Sequence, residues 1–436
     1  MDPIFGGALI IVAMLVVAAL GVPVALSMAG VGFVGMCLLA GTPFALGTFM
    51  TLPYSIASQY AFVVVPMFVL MGAFAATSGL TGELYTAAHR LFSGIRGSLY
   101  YTTVLASAGF GAVSGSTVVA GAVFTKVALP EMIRFGYKRS LSAGCIAAAG
   151  TFAALIPPSI SMVIYGILTG ESIGALLMAG VVPGLLTVGA YMLGVKLFMR
   201  MRPDWAPTVE KRYSVGDIVS SFRGLWAVCL LLIIVLGGIY SGLMPPSAAG
   251  TAGALGALAI CIGRRKLGRA EFADALSQTV STTASLFLII IGGLLFSRLL
   301  LHMGFIGAIT DFVESAKLSP LVFIGFVVLI YLVLGCFVDT VTMMVMTIPF
   351  IYPSLEPLGL DPIWFAVLIV KLVEISAITP PVGLNLFAVI GAANGKVSSG
   401  EVYSGVTPFI LIELVVLSVL VAFPQLSLWL PQLMIN

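Results

Sequence analysis

Two polar interruptions in long apolar runs are the residues of this chain best suited to chemistry. Ser114, Gly115, Ser116 and Thr117 break the stretch AGFGAVSGSTVVAGAVF, and Val338, Asp339 and Thr340 follow Gly335 in GCFVDTVTMMV. Together they offer hydroxyls, flexible backbone and one carboxylate. Two double prolines accompany them: Pro157-Pro158 in TFAALIPPSISMVIYG and Pro380-Pro381 in ISAITPPVGLNLFAVIG. Each pair removes two N–H donors and breaks a helix, freeing carbonyls around Ala153 to Ile156 and Ala377 to Thr379. A bare carbonyl in hydrocarbon costs several kcal/mol. Sodium, a hard cation that takes oxygen ligands, is one partner for such carbonyls; Ser, Thr or water around a plain proline kink is the other. Asp339 at bilayer depth costs about 2.5–3.5 kcal/mol. It needs a cation, a substrate hydroxyl or amine, or the N–H groups at a helix start, where it would act as an N-cap.

The remaining polar residues read as structural. Lys371 and Glu374, one turn apart, can neutralise each other. Lys126, Arg298 and Glu413, placed towards span ends, suit snorkelling or interfacial pairing. The five Cys show no CxxC or Cys/His spacing and the two His, His89 and His302, stand alone, so neither a metal cluster nor a disulfide frame is signalled. A phosphate-binding glycine loop with its Lys is missing as well. The chain is not expected to be an enzyme.

The elements that must position these residues follow from composition. Of 436 residues, 60% are hydrophobic and 8% charged, against about 25% charged in a soluble domain. Pro3 to Gly82 holds no Asp, Glu, Lys or Arg. Runs this long and apolar on all sides predict membrane helices rather than the alternating strands of a barrel. The first run has neither the positive region nor the cleavage site of a signal peptide and reads as a first span. Connectors 81–97, 131–139, 196–223, 264–274 and 396–401 carry 16 of the 20 Lys and Arg, which places them in the cytoplasm. Both ends of the run 98–130 then face the cytoplasm, and both ends of 319–353 face outside. The two runs are expected as re-entrant hairpins, leaving ten crossings and both termini periplasmic. Segments 84–93 and 306–316 suit amphipathic arms on the membrane surface.

The two hairpin regions also match in register. Ser116-Thr117-Val118 aligns with Asp339-Thr340-Val341, Pro130 with Pro353 and Pro157-Pro158 with Pro380-Pro381, all at one offset. An odd number of spans between the copies inverts the second. Inverted repeats with broken helices in corresponding positions point to a secondary transporter with a midplane site. The expected organisation is N-terminal scaffold spans 1–53; repeat 1 over 54–200, with hairpin 98–130 and broken helix 140–168; a cytoplasmic linker 201–223; and repeat 2 over 224–436, with hairpin 319–353, broken helix 363–391 and last span 404–430.

The stretches SGSTVV, LIPPSIS, FVDTVTMMVMTIPF and ITPPVGLN, taken together and over essentially the whole chain, resemble the large membrane subunit of tripartite ATP-independent periplasmic (TRAP) transporters. The resemblance implies an all-α polytopic fold of the elevator type. It implies sodium-driven uptake of an organic acid, a carboxylate or sulfonate, across the bacterial inner membrane. A small four-helix membrane subunit, expected on a separate chain, and a periplasmic binding protein are the implied partners. It places two or more transported Na⁺ at the tips: one site from Ser114, Gly115, Ser116 and the backbone at Ile156, the other from Gly335, Val338, Thr340 and the backbone at Thr379. Substrate contacts would come from Ser114, Ser159 and Asp339. Where the family often carries an acid after SGS, this chain has Thr117-Val118-Val119-Ala120. A stand-alone elevator carrier or antiporter for anions, needing no binding protein, is the alternative.

Overall fold

In a computed structural model, residues 2–207 and 213–435 are described; the middle of the 201–223 linker lies outside them. Every regular element among the described residues is helical. Among the described residues, six helices are long and apolar enough to cross a membrane: Tyr60–Thr77, Ile173–Met201, Val215–Tyr240, Pro246–Gly263, Arg269–His302 and Ser399–Ala422. Pro3–Ala19 and Val24–Ala40, of 17 residues each, reach the lower limit of about 17 for a span.

Each half of the chain then runs through one series. A short helix, Leu80–Leu91 or Phe305–Ser315, leads into a helical hairpin. The first hairpin is Ser98–Ser114 with Thr117–Arg134, and the second is Pro320–Leu334 with Thr340–Ile351. A broken span follows: Arg139–Gly150 with Ile160–Thr169 in the first half, Pro362–Ala377 with Leu384–Ala392 in the second. Helices Val181–Met201 and Ser399–Ala422 close the two series. Local chemistry sets the starts. Ser319 and Asp361 cap helices that carry Pro at their first position, where the missing N–H is lost at no cost. Ser398 and Glu401 form a capping box, satisfying two backbone donors reciprocally.

Three boundaries depart from the apolar pattern. A helix at Thr42–Ala57 fills what reads as a connector, because Gly41 turns the chain at φ 88° and Pro43 starts a new helix within a charge-free sequence. The apolar stretch 278–300 is only part of a 34-residue helix, Arg269–His302, whose polar first turns extend it on the N-terminal side; Glu271 accepts from the Gly268 N–H at 2.9 Å. At about 1.5 Å per residue that helix exceeds the ~30 Å hydrocarbon core. The last run divides at Phe423-Pro424, where Ser399–Ala422 ends and Gln425–Ile435 begins.

Two sets of helix contacts stand out. Val24–Ala40 and Val64–Thr77 pack on Arg269–His302, and Val64–Thr77 also on Pro246–Gly263. The hairpins and broken spans interlock across the repeats: Thr117–Arg134 lies against Leu384–Ala392, Thr340–Ile351 against Ile160–Thr169, and Ser399–Ala422 against Arg139–Gly150. In the last pair Gly144 and Gly405 meet backbone to backbone. A Cβ on Gly144 would overlap the Gly405 carbonyl, and one on Gly405 would overlap that of Ser140. Small residues permit this approach where no hydrophobic effect drives helices together. Overpacking a tight core costs about 1–3 kcal/mol, more when only backbone can yield. Gly144→Leu and Gly405→Leu should therefore each abolish a monodisperse peak in size-exclusion chromatography. Gly189→Ala, with open space at its Cα, should leave that peak unchanged.

Candidate functional site

The first hairpin turns at the SGST residues. Ser114 ends its first leg, Gly115 takes the left-handed conformation at φ 61°, and Ser116 is extended at the start of the second leg. A side chain at Gly115 would be strained there and would also meet the Pro158 carbonyl. The tip is thus fitted against the first double-proline break. In that break Gly150 passes into a 3₁₀ turn, Thr151–Ala154, followed by Leu155, Ile156 and the cis Pro157–Pro158 bond. Ser159 then caps Ile160–Thr169: its Oγ accepts from the Met162 N–H at 3.2 Å and donates to the Ala154 carbonyl. Ser159 is wholly buried, so its hydroxyl is committed to holding the break.

Ser114 is placed differently. Its side chain is 3% exposed, and its Oγ has no hydrogen-bond partner among the described residues. A cavity of about 30 Å³ adjoins it, lined by Ser114, Ser116 and Val119 of the hairpin, Gly72 of Val64–Thr77, and Gln278 and Thr282 of Arg269–His302. That volume is enough for one small guest. Gln278 and Thr282 are additions to the set read from sequence. The sequence signal for them is the polar run SQTVSTT, just ahead of the apolar stretch of that helix.

The second tip repeats the arrangement with a carboxylate. Asp339 caps Thr340–Ile351: Oδ1 accepts from the N–H groups of Val341 and Thr342, each at 3.1 Å, and Oδ2 from the Thr342 hydroxyl. These contacts answer most of the desolvation of a carboxylate at membrane depth. Cys336 Sγ donates to the Pro380 carbonyl at 3.6 Å, so this tip sits against the second double proline, whose Pro380–Pro381 bond is also cis. Thr379 spends its hydroxyl on the Ile375 carbonyl at 2.7 Å. A cavity of about 90 Å³ is lined by Gly335, Val338, Asp339 and Thr340 from the tip and by Ala377 and Gly383 from the break.

The predicted residues therefore fall into two clusters. Ser114 and Ser116 line one cavity, with Gly115 against the Pro158 carbonyl beside it; Gly335, Val338, Asp339 and Thr340 line the other. Each tip thus lines a cavity beside its own break. Asn385 links the repeats, its Nδ2 donating to the Ala147 carbonyl at 3.2 Å while its buried Oδ1 has no partner among the described residues. Lys371 and Glu374 pair at 2.7 Å. Glu413 lies mid-helix rather than near a span end, wholly buried and paired with Lys371, because its helix starts at Ser399 and presents this face to Val181–Met201 and Pro362–Ala377.

Comparison with known proteins supplies the identity that geometry alone does not. A permease in Pseudomonas aeruginosa, the C4-dicarboxylate TRAP transporter large permease protein DctM, is 35% identical over 379 residues, covering 87% of this chain and 88% of its own. The ectoine/5-hydroxyectoine TRAP transporter large permease protein UehC of Ruegeria pomeroyi is 32% identical over 429 residues, covering 98% and 99%. In fold, the chain resembles the Alcanivorax borkumensis YdaH transporter with a TM-score of 0.57 at 18% identity, over 89% of both chains. The profile of the tripartite ATP-independent periplasmic transporter, DctM component, matches residues 11–426. Spanning nearly the whole chain, that match makes this protein a member of the DctM family, a multi-pass transport protein and not an enzyme.

Proposed function

We propose that this permease takes up an organic acid together with sodium, receiving the solute from a soluble periplasmic binding protein and working with a small four-helix membrane subunit. The observation that carries the reading is the pairing of a hairpin tip with a double-proline break, made twice in one chain. One ion is held by Ser114, Gly115, Ser116 and the Ile156 backbone; the unpartnered, buried Ser114 Oγ beside a small cavity suits a sodium ion. The second is held by Gly335, Val338, Thr340 and the Thr379 backbone. Ser114 and Asp339 face the solute, and Ser159 acts on it by fixing the break behind the first tip. C4-dicarboxylate and ectoine, named for the two relatives, both bear carboxylates, and a carboxylate or sulfonate is the class proposed here. Each Na⁺ offsets negative charge on the solute. The hairpins and broken spans then move as one body past the scaffold helices, with both chain termini on the periplasmic side.

Each net positive charge moved inward gains about 2.3 kcal/mol per 100 mV, which is about fiftyfold accumulation. Proteoliposomes holding this chain and its small subunit should accumulate radiolabelled C4-dicarboxylate or ectoine only with an inward Na⁺ gradient and only with the binding protein present. Uptake in choline medium would overturn the sodium coupling, and uptake without the binding protein would identify a stand-alone carrier.

Within that assay Ser116→Ala and Asp339→Asn should each lower initial uptake at least about tenfold, the size expected for losing one charge-assisted contact. Both should still elute as monodisperse protein. Wild-type rates in the two variants would remove the tips from the site.

A further inference from the structure

One side chain runs from the second break to the first. Leu384–Ala392 starts directly after Gly383, and Asn385 is its second residue. Asn385 is wholly buried, and its Nδ2 donates to the Ala147 carbonyl at 3.2 Å. Ala147 lies in the last turn of Arg139–Gly150, where the final carbonyls of a helix lack an intrahelical donor. The Thr151 N–H turns to the Ala148 and Ala149 carbonyls, and its hydroxyl to that of Ala148 at 2.7 Å. Ala147 is served from the other repeat. Directly beyond this turn the chain enters Thr151–Ala154, the 3₁₀ turn that opens the first break.

The amide is fitted to its place. A Cβ on Gly150 would come within 3.2 Å of Asn385 Nδ2 and 3.1 Å of the Gly121 nitrogen. Gly121 belongs to Thr117–Arg134, the second leg of the first hairpin. Packing alone does not account for the residue type. Asn385 Oδ1 is buried without a partner among the described residues, a cost that an apolar side chain of the same shape would avoid. What the position keeps is the donor on Nδ2. The matching position of the first repeat holds Met162, which has no donor, so the tie runs from the second break to the first.

We propose that Asn385 is a positioning residue that couples the two ion sites, so that sodium binds to them cooperatively. This rests on the sodium ions proposed above for the two tips. An ion on the Thr379 backbone fixes the second break and, through Gly383, the start of Leu384–Ala392. Asn385 then holds the end of Arg139–Gly150, the segment that leads to the Ile156 backbone of the other site. Order imposed by the first ion lowers the entropy cost of binding the second. Asn385 itself touches neither ion.

Binding of radiolabelled Na⁺ to the full chain in lipid nanodiscs, at ionic strength held with choline chloride, tests this without transport. Wild-type protein should bind with a Hill coefficient approaching about 2, the ceiling for two sites. Asn385→Leu, similar in size but without the donor, should bring the coefficient to about 1 and raise half-saturating NaCl about fivefold or more, the lower end of a typical coupling. Asn385→Ala should do the same and serves if the Leu variant fails to fold. Both should bind as many Na⁺ at saturation as wild type, whereas Ser116→Ala should bind fewer. A residue that only packs would lower thermal stability in choline chloride and leave the Hill coefficient unchanged, and that result overturns the proposal. Loss of a bound Na⁺ in the Asn385 variants would make Asn385 a ligand and overturn it too, as would non-cooperative binding by wild type. Wild-type protein that binds no sodium would sink the sodium reading and this inference with it; cooperative binding untouched by either Asn385 variant removes this inference alone.

Discussion

A helix that stops inside a bilayer must find partners for the backbone groups it leaves open, and most of this structure follows from that demand. Each repeat is interrupted at a hairpin tip and at a double proline, and each tip is set against a break. Gly115 approaches the Pro158 carbonyl, and Cys336 donates to that of Pro380. Side chains close to the interruptions do the capping: Ser159 reaches the Ala154 carbonyl and the Met162 N–H, while Asp339 gathers the first donors of its leg. The Ser114 hydroxyl at the first tip is buried and finds no partner among the described residues.

The same demand explains why the repeats interlock instead of standing side by side. A half-helix cannot satisfy its broken end and also face lipid. Leu384–Ala392 is covered by Thr117–Arg134, and Arg139–Gly150 by Ser399–Ala422, each from the opposite repeat. Close cover needs small residues, which is the role of Gly144 against Gly405, and it leaves room for cross-repeat polar ties such as Asn385 to Ala147 and Tyr352 to Glu171. The two repeats are thereby bound to each other at several points.

Much of this was legible in the sequence because interruption is a local signal. Double prolines and SGST or VDT inside apolar runs are visible without any alignment, and their recurrence at one offset exposes the repeat. Boundaries were less legible where polarity and helicity part company. Arg269–Ser277 is polar yet helical, and Thr42–Ala57 is a separate helix that no charge announces. The partners of each site residue were hidden for a different reason. Gln278 and Thr282 belong to a helix far along the chain from the tip they face, and periodicity says nothing of which helix packs where.

Glu413 shows the same limit most clearly. Read along the chain, it is a lone acid near the end of a span, and Lys371 with Glu374 looks like a self-contained pair. Folding brings the three together and turns a balanced pair into an unbalanced triad. Sequence spacing can reveal an i, i+3 partner, but the charge of a buried site is a property of everything that packs around it. Tyr191 completes the set from the first repeat, its hydroxyl donating to Glu413 Oε1. The surroundings of a charged cluster in one repeat thus include a hydroxyl contributed by a helix of the other.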